Sequence, residues 1–136
     1  MKIVRFYIAA VAITIIEFIF NFVCSVNIFR WVFKITPANA WKLMQGPPTM
    51  EYYIGTVALN ILLVLVYAIL SGSIPGEGLK KGFIFGFLVW LIGTLPVMFG
   101  AYLFMNMAQE AVLYLTILGL VINLSKGVAT ALICKK

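Results

Sequence analysis

The sequence predicts an all-α membrane protein, a four-transmembrane-helix up-down bundle with a short interfacial helix in the first outer loop. Three observations predict it. Of 136 residues, 64% are hydrophobic and only 10% charged, and the mean hydropathy is +1.11. Four apolar runs each reach the roughly 20 residues that a helix needs to cross hydrocarbon. The breaks between them are rich in glycine, proline and polar side chains. A soluble domain of this length leaves too many residues facing water to hide so much apolar surface. Soluble domains are also roughly a quarter charged. Residues 1–136 therefore read as one transmembrane domain, with spans at about 3–29, 52–70, 82–105 and 111–133. Helices are the expected elements, because the runs lack the alternation of barrel strands and lipid leaves an open backbone unsatisfied.

The first run does not read as a signal peptide. Its apolar stretch is too long, it contains Glu17 and Asn21, and no small-x-small cleavage pattern follows. Cys24 does not read as a lipoprotein acylation site either, since bulky Phe22 and Val23 precede it. In the loop that follows, Thr36-Pro37 pairs a capping hydroxyl with proline at the first helical position. Trp31, Trp41 and Met44 alternate with Arg30, Lys34 and Lys42, the composition of a helix lying in the headgroup layer. Gly46-Pro47-Pro48 ends it.

Ser71-Gly72-Ser73-Ile74-Pro75-Gly76-Glu77-Gly78 separates the second span from the third. In the third, Gly82, Gly86, Gly93 and Gly100 recur at helical spacing and predict one smooth packing face, either within the bundle or across a dimer interface. Pro96 removes a backbone hydrogen bond and predicts a kink, a candidate hinge. Asn106 and Gln109 are spaced as a capping box before the fourth span. Glu51 and Glu110 fall at helix N-termini, where the macrodipole favours an anion.

Orientation follows from the cations. Lys2, Arg5, Lys80, Lys81, Lys135 and Lys136 share one side, whereas Arg30, Lys34 and Lys42 share the other. The positive-inside rule then places both termini on the cytoplasmic side of the inner (plasma) membrane. The formal charge of +6 does not point to nucleic acid, because the cations sit singly or in pairs between apolar runs. Membrane lipids are the expected partners, with a homodimer or larger assembly as a further possibility. Cys24 and Cys134 belong to opposite ends of the bundle and form no disulfide framework. The absence of histidine removes the commonest metal ligand and the usual neutral-pH base. No metal and no cofactor is expected.

The most informative residues are polar ones at membrane depth. Thr14, Glu17, Asn21 and Cys24 or Ser25 recur at steps of three and four and so line one face of the first helix. Thr56, Asn60, Tyr67 and Ser71 form a second stripe, and Gly119, Asn123, Lys126, Gly127 and Thr130 a third. Three such stripes imply a shared bundle interior. Within it, Glu17 and Lys126 are expected to pair, since an ion at a helix centre costs on the order of 2.5–3.5 kcal/mol. Glu17 lies about 20 Å and Lys126 about 13 Å from the inner helix ends. Their side chains lean toward each other because the helices run in opposite directions. Asn21 and Asn123 are the expected bridges, and Asn60 completes the polar centre.

Several segments carry a family resemblance. Arg5-Phe6 opens the first helix, and a tryptophan-bearing loop leads into Met50-Glu51-Tyr52-Tyr53-Ile54-Gly55. Leu79-Lys80-Lys81-Gly82-x3-Gly86, Leu95-Pro96 and Gly127-x5-Ile133 follow. The chain resembles a family of small bacterial four-helix integral membrane proteins with no assigned activity. The resemblance implies the architecture and no mechanism; Cys134 stands where such proteins carry a tyrosine.

No His-Glu-x-x-His helix, Ser/His/Asp set or cysteine cluster is present, so an enzyme is not expected. Two readings remain open. One is a small oligomeric transporter or channel built on the polar centre. The other is a non-catalytic structural or accessory subunit, or a partner-binding bundle. They differ in whether the polar stripes enclose a water-accessible cavity or close on one another.

Overall fold

A computed structural model describes residues 3–24, 31, 34 and 50–134 of the chain. The interfacial helix expected in the first loop lies outside these residues, as do Ser25, Lys2, Arg30, Lys42, Lys135 and Lys136. The described residues are helical apart from short connections. Helix α1 is Ile3–Phe22, α2 is Met50–Leu70, α3 is Gly78–Phe104 and α4 is Gln109–Ile133. Each is long and apolar enough to cross a membrane, the architecture of a multi-pass membrane helix bundle. The side on which α1 begins and α4 ends is called the near side below.

Helix α1 packs between α2 and α4, and α3 packs along α4. On the near side a fully buried group of Ala9, Ile13 and Val64, with Ala10, joins α1 to α2, and Ala129 and Ile133 of α4 pack against it. Tyr67 and Phe85 bring α2 to α3 there, their rings edge to face at 5.0 Å. Ile15, Ile19, Leu62, Leu65, Phe99 and Leu113 point outward. Exposed aliphatic and aromatic side chains on every helix are what a lipid-facing surface requires, since lipid tails are as apolar as leucine.

The closest backbone approach is the α3–α4 seam. A Cβ on Gly82 would lie 2.6 Å from the Val128 Cα, and one on Gly127 would lie 2.5 Å from the Gly82 carbonyl oxygen. A Cβ on Gly86 would collide with the Asn123 carbonyl oxygen. The seam does not continue through the other two expected glycines: nothing lies within 4 Å of a Cβ on Gly93 or Gly100. The cause is a π-helical turn at Trp90–Thr94 in the middle of α3. Such a turn adds one residue to the helix and rotates everything beyond it. The face begun by Gly82 and Gly86 is therefore continued by Thr94, which fills the space at Gly119, and by buried Ala101.

Pro96 follows this turn directly, at the start of the helical segment Leu95–Phe104. The Leu95 N–H bonds to the Trp90 carbonyl instead of making the usual four-residue bond. The wide turn thus absorbs the break that a proline imposes on the preceding turn. The Trp90 indole N–H donates to the Thr116 carbonyl at 3.0 Å and ties the wide turn to α4.

The expected capping box does not form. Helix α4 starts at Gln109 with Ala108 as its cap, and no side chain caps it. The Ala108 carbonyl accepts from the N–H groups of Ala111 and Val112, and the Gln109 amide turns back to the Tyr102 hydroxyl at 3.4 Å. Glu51 and Glu110 do lie in the first turns of α2 and α4.

The glycine seam makes a clear prediction for unfolding in detergent. Gly82→Ala and Gly86→Ala force two backbones apart, and each should lower stability by about 1–3 kcal/mol, as overpacking does. Gly93→Ala and Gly100→Ala should be neutral or stabilising by up to about 1 kcal/mol, the helix preference of alanine over glycine. Equal effects at all four positions would contradict the rotated seam.

Candidate functional site

The three polar stripes meet at one carboxylate. Glu17 on α1 accepts two hydrogen bonds on Oε2, from the Lys126 ammonium at 2.8 Å and from the Asn60 Nδ2 at 2.8 Å. Asn60 is completely buried, the Lys126 side chain is 9% exposed and the Glu17 side chain 24%. Three helices therefore converge on a single oxygen atom, one contributing the acceptor and two the donors.

Each side chain reaches that point for a local reason. Glu17 stands one turn beyond Ile13, whose complete burial fixes the face that α1 turns inward. Asn60 lies between Thr56 and Val64, both buried at helical spacing on α2. Lys126 is flanked by Gly127, whose missing side chain lets α3 lie against α4, and by buried Thr130 one turn later. The Thr130 hydroxyl donates to the Lys126 carbonyl at 2.8 Å, so it is satisfied within its own helix.

The geometry assigns the Asn60 amide. A carboxylate oxygen only accepts, so the amide nitrogen must face Glu17. The Asn60 Oδ1 then points elsewhere; it is buried and has no hydrogen-bond partner. An unsatisfied buried acceptor costs about 1–3 kcal/mol and is rare in native proteins.

The other two asparagines serve different contacts, which corrects the expected bridging. Asn21 donates to the Tyr52 hydroxyl at 3.1 Å, toward the far side of the α1–α2 interface. There Phe18 packs against the rings of Tyr52 and Tyr53. Asn123 donates to the Thr94 hydroxyl at 3.0 Å and to the Gly119 carbonyl at 2.8 Å, and so belongs to the α3–α4 seam. Tyr52 and Thr94 were not singled out from the sequence for these bonds. Tyr52 carries the same periodic signal as Thr56 and Asn60, four residues apart along α2. Thr94 is out of phase with the glycines until the π turn is known.

Chemically, the cluster is one ion pair with one extra donor. Among the described residues no three His, Cys, Asp or Glu side chains lie close enough to hold a metal ion. Cys24 and Cys134 are free thiols. Cys134, just past the end of α4, has its thiol pushed up by burial, with the Arg5 charge acting in the opposite direction.

Removing one member of the pair strands the other. Lys126→Met and Glu17→Gln are each expected to destabilise the bundle by about 3 kcal/mol, the lower end of the range for breaking a buried pair. The double variant should lose clearly less than the sum of the two, and unfolding in mixed detergent measures this coupling. Strict additivity would mean that the two side chains do not interact in the membrane.

Compared with known proteins, the chain matches no family model, no curated protein and no solved structure.

Proposed function

We propose that the protein is a non-enzymatic structural or accessory bundle of the bacterial inner membrane, with its termini in the cytoplasm and its polar centre acting as a lock. The observation that supports this reading is the convergence of three helices on one carboxylate oxygen. Lys126 and Asn60 each direct one donor to the same Glu17 oxygen, and Asn60 has no exposed surface. A closed ion pair fixes helix register without doing chemistry, the best-attested use of buried polar groups. The cation bias supports the orientation. Association with a second copy or a partner helix would use the outer surface of α3, where Gly93 and Gly100 leave open space.

One observation favours a second reading, a proton- or ion-responsive centre in a small oligomeric transporter or channel. The Asn60 Oδ1 is an acceptor without a donor beside an intramembrane carboxylate. Intramembrane ionisable groups are a usual mark of such paths. In this reading the pair opens, and water or a solute supplies the missing donor.

Cysteine accessibility in lipid nanodiscs separates the two. In a chain with Cys24→Ser and Cys134→Ser, Thr56→Cys and Thr130→Cys place thiols one turn to either side of the pair. A lock predicts that a membrane-impermeant thiol reagent labels both on the order of a hundredfold slower than exposed Gly72→Cys, as for segments that open rarely. Rapid labelling at either buried position would overturn the lock and direct attention to uptake assays.

A further inference from the structure

A cleft of about 630 Å³ opens on the near side between the ends of α2, α3 and α4, away from the Glu17–Lys126 pair. Its walls include Tyr67 and Ser71 at the end of α2, Glu77 and Lys81 at the start of α3, and Ala131 and Cys134 at the end of α4. No role in the polar centre accounts for it.

Three features describe what it would hold. Tyr67 is only 4% exposed, and its hydroxyl has no hydrogen-bond partner among the described residues, although its ring is packed on Phe85. A tyrosine with a buried ring normally finds a partner for its hydroxyl, and Tyr67 lines the cleft. The start of α3 is the second feature. Gly76 and Gly78 take φ values of +93° and +51°, which glycine alone adopts freely, and they turn the chain so that α3 begins at the cleft. Its cap, Glu77, makes no side-chain capping bond, so the first N–H groups of the helix are left for an external acceptor. Such an end attracts anions, and Lys81 in the same turn makes no ion pair among the described residues.

The third feature is Glu77 itself, exposed, without an ion pair among the described residues and part of the same wall. A wholly anionic group would meet this carboxylate unfavourably. A zwitterion would not: its anion would lie against Lys81 and the helix start, and its cation against Glu77. The cleft sits where the apolar spans end, with exposed Ile69 and Leu70 beside it, so acyl chains have a surface to follow. We propose that it holds the headgroup of a phospholipid bearing a primary amine, with phosphate toward Lys81 and the α3 N-terminus, the amine toward Glu77, and Tyr67 donating to a headgroup oxygen. A primary ammonium donates charge-assisted hydrogen bonds to a carboxylate, whereas a trimethylammonium has no N–H to donate. This site is independent of whether the Glu17–Lys126 pair is a lock.

The test is native mass spectrometry of the full chain in non-ionic detergent, with phosphatidylethanolamine, phosphatidylcholine and phosphatidylglycerol of identical acyl chains. The expected result is one retained phosphatidylethanolamine, several-fold above the other two. Lys81→Gln and Tyr67→Phe should each reduce it several-fold, and Glu77→Gln should abolish the preference over phosphatidylcholine. Equal retention of the three lipids, or retention unchanged by Lys81→Gln, would overturn the proposal. So would soluble phosphoethanolamine binding as tightly as the lipid, which would mark a small-molecule site. A second readout needs no change in the cleft. In a Cys24→Ser chain, phosphatidylethanolamine vesicles should slow maleimide alkylation of Cys134 several-fold relative to phosphatidylcholine vesicles, and equal rates would contradict occupancy.

Discussion

The Glu17 carboxylate is the point on which the bundle turns. A single oxygen receives an ammonium from α4 and an amide from α2, while Glu17 itself belongs to α1. Three helices are thereby set in depth and rotation relative to one another. Between apolar helices in lipid there is little hydrophobic force to do this, because lipid tails compete equally for every leucine face. Directional polar contacts and close packing must supply the specificity. An ion pair contributes direction, and its cost when broken penalises any other register.

Helix α3 is placed by a different device. Helix α3 joins α4 through glycines so close that their backbones touch, and through a threonine–asparagine bond beyond them. The π turn links these two halves of the seam. Without it, the surface that starts at Gly82 would continue through Gly93, and Thr94 would lie off the interface. The wide turn also supplies the backbone adjustment that Pro96 demands. One local irregularity therefore serves both the proline and the packing.

Much of this was legible in the residues. Four apolar runs of membrane length, three polar stripes at helical spacing and a lone acid facing a lone base led to the bundle and to the Glu17–Lys126 contact. Periodicity places a residue on a face but does not choose its partner. Asn21 and Asn123 share the stripes of Glu17 and Lys126, yet each is taken by a nearer hydroxyl, Tyr52 and Thr94. Asn60, on a third helix, reaches the carboxylate. Gly93 and Gly100 leave the seam of Gly82 and Gly86 because of a one-residue expansion, of which regular helical counting takes no account. The capping box failed because α4 begins at Gln109 itself, leaving the glutamine side chain free to reach Tyr102. The cleft near Tyr67 had no sequence signal beyond a turn rich in glycine, since it exists only where three helix ends leave space between them.

The most direct test of the central contact is a distance measured in a lipid bilayer by solid-state nuclear magnetic resonance. An isotope-labelled lysine side-chain nitrogen and glutamate carboxyl carbon, assigned with Lys126→Met and Glu17→Gln controls, report on the pair. The structure predicts a strong dipolar coupling between Lys126 Nζ and the Glu17 carboxyl that vanishes in either control. A Lys126 nitrogen with no coupling to Glu17, or one coupled to lipid phosphate, would show that the side chain reaches for the membrane surface and that the three helices are held in register by other means.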